Sequence, residues 1–166
     1  MATNFEYPTC PVVNSREVGA EFLDFVMVTL QSLGMYLQPF TSKKYQYNKG
    51  ESFQGWEIKI DRPFTKTGRL SIEIAEKAHG GNINWVPSGI YRSDNTWLYI
   101  QGSYDYFFIF LKKHLVALHK SKKYEEAEWP HLAPTVRKFY LPVADACQWG
   151  QVVIPGTDDH PPILLT

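Results

Sequence analysis

The chain has 166 residues, 44% of them hydrophobic, and its 17 basic and 17 acidic side chains cancel to a net charge of zero. That length suits one domain with a real core. A neutral balance excludes a globally basic nucleic-acid or membrane binder and leaves only a local basic patch possible. No charged and apolar leader opens the chain, and the apolar run at 106–111 is far too short to span a bilayer, so no membrane association is expected. Cys10 and Cys147 lack metal-site spacing, and a disulfide between them stays open; a reduced, intracellular, cytoplasmic protein is the simpler expectation.

Residues 1–13, with Pro8 and Pro11, read as an irregular arm. Asn14 or Ser15 can cap a helix beginning near Arg16, with Glu17 in its first turn. Val18, Phe22, Phe25, Val26, Leu30 and Leu33 follow helical spacing, and Gly34 is a stop signal. Asn48 to Gly50 signals a turn. A first strand is predicted from 51 or 53 to 61. Within it Trp56, Ile58 and Ile60 alternate with Glu57, Lys59 and Asp61. After a loop at 62–68, a second strand runs over 69–77, with Leu70, Ile72 and Ile74 on one face and Ser71, Glu73 and Ala75 on the other. A hairpin across that loop would set Glu73 roughly opposite Glu57, where two like charges need a cation or a shared proton.

Residues 79–84 form a Gly- and Asn-rich loop, and 87–91 a short helical turn ending near Asp94 and Asn95. Strands are predicted at 96–101 and 106–111, joined by a turn at 102–105. A helix over 112–123 turns Leu115 and Leu118 inward, while Lys112, Lys113, His119, Lys120, Lys122 and Lys123 lie on its outer face. Strand 135–141 and a short helix at 142–149 follow. The tail from Pro155 is expected to be mobile. No linker or repeat interrupts this order. The fold class is therefore α/β: an N-terminal helix, then a central mixed sheet flanked by helices, in one domain over 1–154 with a flexible tail at 155–166.

Carboxylates beside a lysine on adjacent strands suit metal-dependent phosphodiester hydrolysis. The acids hold one or two Mg²⁺ ions, and the ammonium stabilises developing charge. Glu57 and Lys59 share one side of a strand, about 7 Å apart along it. Ser88 has no nucleophile elbow around it and reads as a helix cap. His114 and His119 are spaced wrongly for a zinc pair, and His79 reads as an exposed loop residue. No phosphate-cradling glycine loop or cofactor fingerprint is present.

Gly55-Trp56-Glu57-Ile58-Lys59-Ile60-Asp61, the following Thr67-Gly68 and Ile72-Glu73, and Pro87-Ser88-Gly89-Ile90 before Asp94 and Trp97-Leu98-Tyr99 resemble phage-type PD-(D/E)XK endonuclease-like proteins. Gly19-Ala20-Glu21 resembles the first helix of archaeal Holliday-junction resolvases in the same superfamily. The resemblance spans roughly residues 16–142 and implies a restriction-endonuclease-like fold. It implies a Mg²⁺- or Mn²⁺-dependent endonuclease acting on branched or duplex DNA, of phage origin and able to act as a homodimer. Glu57 would be the metal-binding acid, Lys59 the catalytic lysine and Glu73 a further catalytic or metal-binding acid. Asp61 would supply another ligand, and Glu21 the helix acid. The superfamily also expects an upstream aspartate, but none lies between Asp24 and Asp61, so that role passes to Glu51. Lys112, Lys113, Lys120, Lys122 and Lys123 would contact the phosphate backbone. The missing aspartate, the neutral charge and the many aromatics support an alternative: a catalytically inactive module on the same scaffold, binding nucleic acid or a protein partner.

Overall fold

The computed structural model describes residues 15–129 and 133–165. The irregular arm at 1–13, the Asn14 cap and Cys10 lie outside the described residues. Helix α1, Ser15–Ser32, realises the apolar stripe of the first helix, and α2, Lys43–Lys49, follows and ends in the turn signalled at Asn48 to Gly50. Strand β1, Trp56–Ile60, is succeeded by a one-turn helix α3, Phe64–Thr67, and strand β2, Arg69–Glu76. A short β3, Val86–Pro87, leads into a 3-10 turn, Gly89–Tyr91. Then come β4, Leu98–Gly102, β5, Phe107–Leu111, and α4, Lys112–Lys120. The chain continues through β6, Glu126–Trp129, β7, Val136–Pro142, α5, Val143–Trp149, β8, Gly150–Ile154, and β9, Ile163–Leu165.

The α/β class and a mixed sheet are present, but the strands divide between two sheets. The first has five strands in the order β1-β4-β5-β8-β9, and the second has four in the order β3-β2-β7-β6. Among the described residues, only β1 and β4 run parallel in the first sheet, and the second is antiparallel throughout. The expected hairpin of the first two strands does not form. Strand β1 pairs with β4, setting Glu57 beside Tyr99 and Lys59 beside Gln101, whereas β2 pairs with β7 and sets Glu73 beside Lys138. The loop at 62–68 carries β2 into the other sheet because α3 and the left-handed Gly68 (φ 69°) turn the chain there. The C-terminal segment expected to be mobile contains β9, which pairs with β8.

Strand alternation explains the layering. Leu98, Ile100, Phe107, Ile109 and Val153 face α1 and bury Phe22, Val26 and Leu30, with Trp56, Ile58 and Ile60 packed at the edge. Tyr99, Phe108 and Phe110 point the other way and meet Leu70, Ile72, Ile74, Phe139 and Leu141 of the second sheet, together with Leu115, Leu118 and Ala146 from α4 and α5. The two sheets thus share one core. No helix among the described residues is long and apolar enough to cross a membrane.

Strand β1 is at the edge of its sheet, and β3 covers only Ala75 and Glu76 of β2, so both strands leave backbone groups unpaired by a neighbouring strand, and side chains close them. On β1, the Ser52 hydroxyl accepts from Trp56 N–H at 2.7 Å and donates to Trp56 O at 3.0 Å, and Glu51 Oε2 accepts from Ile58 N–H at 3.3 Å. On β2, Asp61 Oδ2 accepts from Ser71 N–H at 2.6 Å, and Gln101 Nε2 donates to Ser71 O at 2.8 Å. Farther along, Gly89 crosses Glu73 so closely, at φ 52°, that a Cβ there would collide with the Glu73 carbonyl oxygen. Gly89→Ala is therefore expected to lower unfolding stability by more than about 1 kcal/mol, read from urea melts; an unchanged midpoint would contradict the close approach.

Candidate functional site

On the polar face of β1, Glu57 and Asp61 are buried while Lys59 is about one-third exposed. Glu57 is 2% exposed although it carries a carboxylate. Its Oε1 lies 3.1 Å from Lys59 Nζ, while its Oε2 is buried with no hydrogen-bond partner. Lys59 Nζ also donates to Glu51 Oε1 at 3.0 Å, so one ammonium bridges two carboxylates from the strand and the turn before it. Glu73 approaches from the second sheet and is oriented by the Ser88 hydroxyl, which donates to Glu73 Oε1. Its charge acts on Lys59 as well. The acids expected to share a hairpin face are gathered instead from β1, a turn and the other sheet.

Electrostatics follow from this crowding. Burial pushes the Glu57 carboxyl above its usual range; Lys59 opposes that shift, while Glu51 and Asp94 reinforce it. For Lys59 burial acts to lower the pKa, but the carboxylates of Glu57, Glu51 and Glu73 prevail and hold the ammonium above its ordinary range. Tyr99, fully buried beside Glu57, is raised well above the usual phenol by burial and by the same acids. Three carboxylates around one ammonium leave the cluster net negative.

The other predicted residues fall in different places. Asp61 is buried and fully engaged on one oxygen, which accepts from Ser71 N–H, from Ser71 Oγ at 2.8 Å and from Gln101 Nε2 at 3.0 Å. That role joins the two sheets. Glu21 is exposed on α1. Its neighbours Gly19 and Ala20 line a cavity of about 470 Å³ together with Lys43, Gln46, Glu51 and Lys59, whereas Glu21 does not. Lys112 does not lie on the outer face of α4: its side chain is 12% exposed, and Nζ donates to Arg92 O at 2.7 Å and Asp94 Oδ1 at 3.1 Å. His119 is likewise turned inward, between the Tyr91 hydroxyl at 2.7 Å and Glu126 at 3.0 Å. Lys122 pairs with Glu126, while Lys113, Lys120 and Lys123 are exposed. Ser88 makes no side-chain helix cap and serves Glu73 instead.

Sequence reasoning missed Ser71, Gln101 and the site role of Ser88. Gln101 and Ser71 matter only because β4 lies parallel to β1 and β2 crosses its end, and no local pattern carries that information. Ser88 precedes the Gly89 that must approach Glu73, which is the one local signal.

Among the described residues, no group of three His, Cys, Asp or Glu side chains is arranged to close on one ion. The donors nonetheless suit Mg²⁺, which keeps several waters and needs only one or two carboxylates. Glu57 Oε2 is a buried carboxylate oxygen without a hydrogen-bond partner, in a cluster with surplus negative charge. No family model, no curated protein and no solved structure matches the chain.

Two stability outcomes follow. Lys59→Met leaves Glu57 buried beside two other acids and should cost about 3 kcal/mol, the low end for a broken buried pair because Lys59 is one-third exposed. Glu57→Gln should cost less and should change the pH dependence. Because the folded state raises the Glu57 pKa, its favourable contribution is complete below the ordinary 4.5 and is lost as pH climbs through the raised value. The wild type should therefore lose stability relative to Glu57→Gln across that interval in urea melts, and parallel curves would contradict a raised carboxyl.

Proposed function

We propose that the protein is a Mg²⁺- or Mn²⁺-dependent DNA endonuclease on a restriction-endonuclease-like scaffold. The observation that carries this reading is the buried Glu57 Oε2 without a partner, next to an ammonium outnumbered by carboxylates. A core that tolerates such a group without a ligand carries a cost of about 1–3 kcal/mol, more for a charge. A divalent ion at that oxygen removes the cost. When bound, the ion would neutralise charge on the scissile phosphate and acidify water beside it.

The chain's own residues divide the remaining work. Glu57 and Glu73 would hold the ion, with Ser88 fixing the Glu73 carboxylate. Glu51 holds Lys59 from the open edge of β1. Lys59, kept protonated by the surrounding acids, places a positive charge where the pentacovalent phosphate gathers negative charge. Asp61 keeps the second sheet against β1 through Ser71. The cavity lined by Lys43, Gln46, Glu51 and Lys59 would admit a phosphate beside the Lys59 ammonium.

One observation favours the inactive binding module: Lys59 Nζ already lies within 3.1 Å of both Glu51 and Glu57, a position from which it substitutes for a metal ion. Cleavage assays on linear, nicked and branched DNA with Mg²⁺ or Mn²⁺ separate the two. The nuclease reading expects metal-dependent cleavage that falls by about 10²-fold or more in Glu57→Gln and in Lys59→Met, with both variants still melting cooperatively. No cleavage of any of these substrates, or equal rates for wild type and Glu57→Gln, would reject it.

A further inference from the structure

A second cavity, of about 570 Å³, opens where β1 ends and reaches over the outer face of the second sheet. Its walls include Arg62 from the loop after β1, Arg69 from β2, Lys138 and Tyr140 from β7, and Trp129 from β6. Alternation along β7 puts Lys138 and Tyr140 on one face, and pairing with β2 and β6 brings Arg69 and Trp129 alongside. The Arg69 guanidinium lies 3.9 Å from the Tyr140 ring centre, and Lys138 Nζ lies 5.2 Å from that of Trp129 and 5.6 Å from that of Tyr140. Trp129 is 52% exposed.

Three cations are thus concentrated in a chain whose net charge is zero. Among the described residues of the wall the one carboxylate is Asp61, whose Oδ2 is committed to Ser71 and Gln101. Arg69 pairs with Glu125 at 3.0 Å, but both partners are largely in water, so the pair is weak and can be exchanged for another anion. Burial, with the neighbouring Arg69, depresses the Lys138 ammonium against the pull of Asp61, which is the strain an incoming anion relieves. The volume falls in the range of ligand pockets. Cations that track phosphates, interleaved with aromatic faces that stack bases, form the recognition pattern of unpaired nucleic acid; a duplex hides its base faces.

We propose that this cavity binds a single-stranded nucleic-acid segment, its phosphates on Arg62, Arg69 and Lys138 and an unpaired base against Trp129. Asp61 lies on the same face of β1 as Lys59, about 7 Å farther along the strand, so the bound strand runs toward the candidate site. The identity of the polymer rests on the nuclease reading, but binding is measured without cleavage.

The test uses the full chain in EDTA, with fluorescence anisotropy of labelled single-stranded oligothymidylate, the matching duplex and thymidine monophosphate as competitor. Wild type should prefer the single strand to the duplex by at least tenfold, with affinity falling steeply as salt rises. Arg62→Ala combined with Lys138→Gln should weaken binding about tenfold or more and flatten the salt slope. Trp129→Ala should weaken it about fivefold or more, and Trp129→Phe should restore most of the loss. The lysines on and just after α4, which the resemblance offers as the backbone contact, are the competing surface: Lys113→Ala, Lys120→Ala and Lys123→Ala together should change affinity less than twofold. Equal affinity for duplex, competition by the mononucleotide as strong as by the oligomer, or loss in the α4 triple variant with none in the cavity variants would overturn the proposal. Failure of binding with cleavage intact removes this subsite alone; binding without cleavage leaves it standing and removes the nuclease.

Discussion

The structure turns on a charge imbalance inside the protein. One ammonium, Lys59, is set among Glu51, Glu57 and Glu73, and the most buried of the three keeps an oxygen without a hydrogen-bond partner. Burying charge is tolerated only where partners compensate. Here compensation is incomplete. Burial outweighs Lys59 in setting the Glu57 equilibrium, so the folded protein favours either a proton or another cation at that carboxylate. A solvated surface strand would carry the same alternating charges at no such cost.

Other polar contacts make sense as supports for that cluster. The open edges of β1 and β2 face each other's elements, and side chains from Ser52, Glu51, Asp61 and Gln101 take the hydrogen bonds a further strand would have made. Closing the edges this way guards against edge-to-edge association. It also ties the two sheets together at the point where the acids converge. Asp61 in particular is a joint: a single oxygen anchors Ser71 of one sheet and Gln101 of the other.

Much of this was legible in the sequence, and what was not has a physical cause. The 3.6-residue stripe of α1 and the period-two alternation of β1 and β2 report which side chains share a face, and those faces are as expected. Alternation does not report which strand lies alongside. The hairpin between β1 and β2 followed from adjacency in the chain, whereas the real partner of β1 begins about forty residues later and runs parallel to it. The Glu73 charge still acts on Lys59, but from the other sheet. Lys112 looked like a surface lysine because helical spacing cannot reveal Asp94, whose side chain is 2% exposed in the loop before β4, waiting to pair with it. Strands β6 and β9 carry too little alternation to stand out, and each exists because a neighbouring strand offers it an edge.

Titrating the Glu57 side-chain carboxyl by carbon-13 NMR, with Glu57→Gln to assign the signal, tests the imbalance most directly. The carboxyl should titrate above 4.5 in EDTA, and magnesium should move the midpoint downward as the ion replaces the proton. A midpoint at or below 4.5 that ignores magnesium would mean that Lys59 already satisfies Glu57, and the cluster would then be a closed structural ion pair.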